Sequence, residues 1–206
     1  EKAGFYFAGW REQGTSTNIF RIPKGDYGNK TYIAQWFPEN SSDVWVIYDE
    51  DGLAKFRDLV NAGSASLHAK LNNNIVLDEY KNWTPIGFNA SAAGAGDSTI
   101  RAYRGTFDGQ GNTISGMAAQ WQLTYDNIIF GFFACVDGGT VKDLIVEGSI
   151  HATKTSPDLK WYAGMVGKLL RGSVTGCTSR ITVTEKSVYW LRYGGIVASM
   201  DDGIVE

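Results

Sequence analysis

The most constraining feature of this sequence is a segment that occurs three times. The copies open at Gly131, Gly164 and Gly195, so they begin 33 and 31 residues apart. Each copy has a second glycine eight residues after its first and a valine ten residues after it: Gly139, Gly172 and Gly203, and Val141, Val174 and Val205. A fixed period of this length is typical of chains that stack one repeated unit. The copies show no helical periodicity, so the sequence predicts an all-β parallel solenoid whose neighbouring units bury each other's apolar faces.

The equivalent positions of the repeats predict which strands should pair. The dipeptides that fall in register are Thr113-Ile114, Thr140-Val141, Ser173-Val174 and Ile204-Val205. Two cysteines, Cys135 and Cys177, occupy different offsets within their repeats. They do not form a disulfide framework, and we interpret both as small buried apolar side chains.

Composition excludes some partners. The chain has 206 residues, a net charge of −3 and no basic stripe, so we expect no nucleic-acid partner. No apolar run approaches the roughly 18 residues that a membrane helix needs, so we expect no membrane insertion within this chain.

The region before the repeats divides into three parts. Residues 1–38 predict a small β module, residues 39–43 a polar linker, and residues 44–206 the main β domain. Within that domain Asp49 to Gly63 has apolar residues at helical spacing, with Asp51 as the expected N-terminal cap and Gly63 as the expected end of the helix. This helix is expected to cover the apolar face and open edge of the first unit.

The N-terminal β module resembles a known bacterial repeat. Gly4 to Trp10 reads G-F-Y-F-A-G-W, and Tyr32 to Trp36 reads Y-I-A-Q-W. Both segments are similar to the C-terminal half of the Listeria–Bacteroides repeat, also called the internalin-type B-repeat. The resemblance implies that the front strands of this unit lie upstream in a longer protein.

The remainder resembles the GLUG-motif proteins. Trp83 to Gly87 reads W-T-P-I-G, Gly105 to Ile114 reads G-T-F-D-G-Q-G-N-T-I, and the three repeats follow. The resemblance covers about residues 44–206 and implies a right-handed parallel β-helix of bacterial surface proteins. The chain departs from the family by a glycine- and alanine-rich insertion from Asn89 to Tyr103, which we expect to be a mobile surface loop.

The charged residues do not predict a catalytic centre. Carboxylates at equivalent offsets of successive repeats would be needed for acid–base chemistry, and no such ladder occurs. Glu147 aligns with Arg180, which predicts an ion pair between repeats. Asp108-Gly109 predicts a tight turn in which Gly109 adopts a positive φ and Asp108 bonds back to the backbone. Histidine and cysteine spacing predicts no metal site, and we expect no cofactor and no catalytic residue.

Aromatic residues give the one candidate ligand surface. Trp161 and Tyr162 precede one repeat, and Trp190 and Tyr193 precede the next; Tyr162 and Tyr193 are at equivalent positions. These rings are either stacked core side chains or a lateral groove for a sugar or peptide.

Together these features favour a non-enzymatic structural or adhesion module of a secreted, bacterial cell-surface protein. The alternative is a carbohydrate-binding or carbohydrate-cleaving β-helix. The expected partner is a host or matrix protein or a glycan. We also expect the chain to be a fragment whose last repeat is truncated. Its exposed edge, with Ile196, Val197 and Val205, would then be poorly ordered or covered by an end-to-end contact.

Overall fold

Among the residues that it describes, the structure combines one small antiparallel sheet, three parallel sheets and one helix. It is a computed structural model that describes residues 2–22, 24–39, 41–78, 82–88, 101–123, 129–154, 161–186 and 192–206. Most of the predicted insertion loop, residues 89–100, lies outside the described residues. In chain order the elements are β1 (Phe5–Glu12), β2 (Asn18–Ile19), β3 (Tyr32–Pro38), β4 (Val44–Ile47), α1 (Glu50–Ala62), β5 (His68–Leu71), β6 (Ile75–Val76), β7 (Thr106–Asp108), β8 (Thr113–Leu123), β9 (Ile129–Phe130), β10 (Phe133–Lys142), β11 (Ile145–Lys154), β12 (Trp161–Ala163), β13 (Val166–Thr175), β14 (Thr178–Lys186), β15 (Arg192–Gly194), β16 (Val197–Met200) and β17 (Ile204–Val205).

The N-terminal module is a three-stranded antiparallel sheet with the order β2-β1-β3, here called sheet A. Its register shifts between Phe7 and Trp10. Gly9 occupies this bulge with a φ of 95°, and a Cβ there would lie 2.8 Å from the carbonyl oxygen of Ile19. Glycine is therefore required at this position, because a side chain would collide with the neighbouring strand.

The largest sheet is parallel and has the order β16-β13-β10-β7-β5-β4, with β17 also pairing with β13. Here the repeats pair as their spacing predicts: Thr140 is opposite Ser173, and Val141 is opposite Val174. Two smaller parallel sheets have the orders β14-β11-β8-β6 and β15-β12-β9. Repeated segments therefore lie beside one another in each sheet.

The predicted fold class is nevertheless wrong. The sequence predicted a single right-handed parallel β-helix, whereas the structure is mostly β with several separate parallel sheets, an antiparallel sheet and one helix. At one end of the large sheet, β4 and β5 are parallel neighbours connected by α1, which is the crossover arrangement of α/β proteins. Glycine spacing identifies segments that pair, but it does not determine how the rest of each repeat is divided among sheets.

Helix α1 starts and ends at residues with clear capping roles. The Asp49 side chain accepts a hydrogen bond from the Gly52 N–H, so Asp49 is the N-cap and the expectation for Asp51 is wrong. Gly63 closes the helix with a φ of 128°, as the sequence predicts. The buried face, which includes Leu53 and Phe56, packs on the parallel strands.

Sheet A packs against the end of the large sheet through aromatic rings. Trp45 on β4 is only 2% exposed. Its ring stacks on Phe20 at 6.4 Å and contacts Phe37 at 5.3 Å between ring centroids. The Tyr6 hydroxyl also lies 2.7 Å from Ser64 Oγ beyond α1. The antiparallel module is therefore attached to the parallel sheets by buried contacts, and the predicted linker lies between β3 and β4.

Candidate functional site

The predicted aromatic surface contains one buried ring and one exposed ring. Tyr162 and Tyr193 are opposite each other on β12 and β15, as their equivalent positions predict. Tyr162 is 1% exposed and packs near Phe130 at 6.2 Å between ring centroids, so it belongs to the core. Tyr193 is 49% exposed, and its hydroxyl donates to the Ile181 carbonyl at 3.4 Å.

Of the two tryptophans of that prediction, the structure describes only Trp161. Trp161 is half-buried and lies opposite Arg192. Trp190 lies outside the described residues. Among the three of these rings that the structure describes, Tyr193 is therefore the only well exposed one.

Carboxylates on the large sheet are occupied by cations from neighbouring strands. Asp137 on β10 is 7% exposed, and its two oxygens pair with Arg104 at 3.2 Å and with Arg171 Nε at 2.7 Å. Burial opposes ionisation of Asp137, but hydrogen bonds and charge from Arg171 and Arg104 outweigh it and lower its pKa. Asp137 therefore stays ionised and links three adjacent segments.

The Asp108 turn is structural, although its glycine has a different role from the one predicted. The Asp108 carboxylate accepts from the Gln110 N–H at 2.9 Å and pairs with Lys142 Nζ at 2.7 Å. Positive φ angles occur at Gln110 (53°) and Gly111 (73°), not at Gly109. A Cβ at Gly109 would overlap the backbone of Asp143, so this glycine allows close approach of the next strand.

Other polar candidates are likewise engaged. Arg180 Nη1 donates to Glu147 Oε1 at 2.6 Å, which confirms the predicted ion pair between repeats. His68 Nδ1 accepts from the Thr106 N–H at 3.0 Å. Among the described residues no group of three or more histidine, cysteine, aspartate or glutamate side chains could hold a metal ion.

A second aromatic group, on sheet A, is better placed to contact a ligand. Phe7 lies between two tryptophans, with its ring centroid 5.4 Å from that of Trp10 and 5.7 Å from that of Trp36. Trp10 and Trp36 are 37% and 36% exposed. We call Phe7, Trp10 and Trp36 the aromatic triplet. Edge-to-face contacts with the Phe7 ring hold the two exposed tryptophan rings in fixed orientations.

A cleft of about 740 Å³ lies beside the aromatic triplet. Phe5, Phe7 and Trp36 contribute its apolar wall, and Lys2, Lys55 and Glu39 contribute charged groups. The Lys2 ammonium sits 3.9 Å from the centroid of the Phe5 ring, which places a cation at the edge of the apolar wall. Aromatic faces beside polar and charged groups suit a ligand with a flat apolar side and hydroxyl or acidic substituents.

The aromatic triplet was not among the predicted site residues. Its members were visible in the sequence only as parts of the G-F-Y-F-A-G-W and Y-I-A-Q-W segments of the N-terminal module. The signal that could have identified it is alternation along β1 and β3. In this register Phe7 is opposite Trp36, and the bulge at Gly9 brings Trp10 to the same cluster.

Comparisons of the chain with family models, curated proteins and solved structures found no match. The structure therefore defines only a broad class, a mostly-β protein with several parallel sheets and one helix. Membership of the GLUG-motif proteins or of the B-repeat family therefore stays a prediction from the quoted sequence motifs. The described residues include no helix that is both long and apolar enough to cross a membrane.

Proposed function

We propose that this chain is a non-enzymatic structural and adhesion module of a bacterial cell-surface protein. The observation that carries the proposal is that three carboxylates form ion pairs between neighbouring segments of the parallel sheets. Asp137 pairs with two arginines from neighbouring segments, Asp108 pairs with Lys142, and Glu147 pairs with Arg180. Acid–base catalysis needs a carboxylate free to exchange a proton with a substrate, whereas these groups join strands.

The bacterial surface as the location is part of the same proposal and rests on the resemblance to GLUG-motif proteins. Immunolabelling of intact cells of the producing organism tests it, with antibodies raised against this chain. Labelling of intact cells supports the proposal. Labelling that appears only after permeabilisation contradicts it.

Carbohydrate binding is the second candidate, and the aromatic triplet favours it. Trp36 lines the wide cleft, and Trp10 belongs to the same aromatic triplet. Both tryptophans are about one third exposed and provide apolar faces against which pyranose rings can stack. Lys2 and Lys55 at the cleft add donors and positive charge for hydroxyl or acidic groups of a glycan.

A glycan array with the whole chain separates these functions. If the triplet binds sugar, Trp36→Ala should reduce the signal about tenfold, because a stacking ring contributes about 1–2 kcal/mol. Tyr27→Ala is the matched control, since Tyr27 is 87% exposed and does not line the cleft. Equal loss in both variants contradicts a site at the triplet.

Incubation with a panel of polysaccharides completes the test. Release of reducing sugar ends by the wild-type chain would refute the non-enzymatic assignment. Binding to matrix proteins without any glycan signal would support adhesion and exclude the carbohydrate candidate.

A further inference from the structure

A slot of about 200 Å³ lies between sheet A and the end strand of the large sheet. Sheet A contributes Ala8, Arg11 and Phe37, and β4 contributes Val44, Trp45 and Val46. The slot is separate from the cleft beside the aromatic triplet, although Trp36 borders both. Its long wall is therefore a β-strand.

The outer edge of that strand has no partner strand among the described residues. In the order of the large sheet β4 is the last strand, and it pairs with β5 alone. The Ile47 carbonyl accepts from the Asn72 N–H at 2.9 Å, so the peptide groups of Ile47 face β5. Successive residues of a parallel strand alternate in direction, so the N–H and C=O of Val46 face the open edge. An open edge of this kind is a template for another extended chain.

The polar groups of the slot favour an acidic occupant. Arg11 Nε donates to Asn18 Oδ1 at 2.9 Å, and no carboxylate of the described residues forms an ion pair with its guanidinium. None of the residues that line the slot is acidic. The Arg11 guanidinium therefore has N–H donors available for a carboxylate, to which arginine binds in a bidentate geometry.

Trp45 supplies a second and independent sign that the slot is incomplete. Trp45 lines the slot and is 2% exposed, and its indole N–H has no hydrogen-bond partner in the described part of the chain. Buried polar groups are nearly always hydrogen-bonded, so an orphan donor beside an open strand edge needs an explanation. A carbonyl of an incoming chain, after a small adjustment of the ring, would satisfy it.

We propose that the open edge of β4 binds the carboxyl end of an extended peptide by strand addition. The backbone of the peptide pairs with Val46, its apolar side chains contact Val44 and Phe37, and its carboxylate pairs with Arg11. This combination of main-chain hydrogen bonds with a few side-chain contacts is a common mode of peptide recognition. The small slot accommodates a chain terminus rather than a folded surface.

The test uses the whole chain and a pool of labelled hexapeptides, randomised in sequence, each with a free C-terminal carboxylate. Fluorescence anisotropy measures binding, and amide hydrogen exchange of Val46 reports pairing at the edge. The peptides that bind are then remade with a C-terminal amide, or with alternate backbone nitrogens methylated. Methylation blocks strand pairing without changing the protein. We expect slower exchange at Val46 on binding, no binding of the methylated peptides, and at least about tenfold weaker binding of the amides.

Protein variants identify the cation. Arg11→Gln should weaken binding of the free-carboxylate peptides by about tenfold or more and have no further effect on the amides. Lys55→Gln, which removes a cation of the other cleft, should leave binding unchanged. Unchanged thermal unfolding of both variants would show that they remain folded.

Three results would overturn the proposal: no binding of any peptide at a protein concentration of about 1 mM, binding that survives backbone methylation, or equal binding to wild type and Arg11→Gln. Retention of acidic glycans in place of peptides, with protection at Val46, would also overturn it. Failure of this experiment leaves the glycan-array test of the aromatic triplet unaffected, because the two sites are probed by different ligands and variants.

Discussion

At the level of single residues, the repeat-opening glycines have a steric explanation. A Cβ on Gly131 would lie 2.7 Å from the Phe133 carbonyl oxygen and 2.9 Å from the Gly167 nitrogen. A Cβ on Gly164 would overlap Ser179 Oγ. Gly195, at the equivalent position of the third copy, has no atom within 4 Å of such a Cβ. In the first two copies the opening glycine is therefore needed, because the backbone of the next repeat approaches it closely. The third copy has no such close contact.

This difference gives a matched pair of variants. Gly131→Ala should lower the free energy of unfolding by about 1–3 kcal/mol, because the methyl group collides with backbone that cannot move away. Gly195→Ala should change it by less than about 0.5 kcal/mol, since the added methyl group meets open space. Urea denaturation followed by circular dichroism measures both. An equal effect of the two substitutions would contradict the steric explanation.

At the level of the elements, helix α1 shows how a local signal can be assigned to the wrong residue. The apolar spacing predicted the helix and Gly63 predicted its end, and both are confirmed. Asp51 is an equally acceptable capping residue in the sequence, but Asp49 is the one with extended backbone, at a φ of −153°. Burial, followed by the nearby charges of Asp51 and Glu50, raises the pKa of Asp49, whose capping bond opposes the shift.

The two aspartates therefore predict different costs. Asp49→Ala should lower the free energy of unfolding by about 1 kcal/mol, because the Gly52 N–H loses its acceptor at the N-terminus of the helix. Asp51→Ala should cost less than about 0.5 kcal/mol, since it removes a surface ion pair with Arg21. Thermal unfolding of both variants measures the difference, and a larger effect at Asp51 would reverse the assignment of the cap.

The strands divide into those that the sequence predicted and those that it did not. Pairs such as Val141 with Val174 follow from equal offsets, because equivalent residues of successive repeats meet in register. The β4–α1–β5 crossover lies outside the repeated region, and its pairing of Val44 with His68 has no counterpart in the glycine pattern. The predicted β-helix failed for this reason: an internal period carries information about neighbours, not about how many sheets the chain forms.

At the level of the whole molecule, acid should weaken the connection between adjacent segments of the large sheet. The lowered pKa of Asp137 means that its ionised form stabilises the folded state. That contribution is complete above the ordinary pKa of about 3.8 and is lost as the pH falls through the lower folded-state value. Asp137→Asn should lower the free energy of unfolding by about 1–2 kcal/mol at neutral pH, because the amide lacks the charge that pairs with both arginines. The loss is limited to this range because the two arginines are partly exposed.

Denaturation curves at several pH values between about 7 and 2 test this expectation. The stability difference between wild type and Asp137→Asn should shrink as the pH falls below about 4. Glu147→Gln is the control, since its pair with Arg180 is solvent-exposed and should contribute less than about 1 kcal/mol. A difference that stays constant with pH would show that the carboxylate charge is not responsible.

The candidate binding sites could be predicted only in part. Tyr162 and Tyr193 lie opposite each other as expected, but burial of Tyr162 depends on packing that sequence offsets do not reveal. The aromatic triplet depends on the β1–β3 register and on the bulge at Gly9, which are tertiary facts. The slot at β4 was even less accessible to prediction, because it exists only where two differently built sheets meet.

The parallel sheets also determine how the molecule would respond to force. Their hydrogen bonds run from strand to strand, along the order from β4 to β16. Tension applied between these two end strands acts along the bonds, so the strands peel away one after another and few bonds break at each step. Tension along the strands must break every bond of a pair at once. Under tension between its two end strands, the sheet would therefore extend as one strand separates after another, rather than by one abrupt rupture.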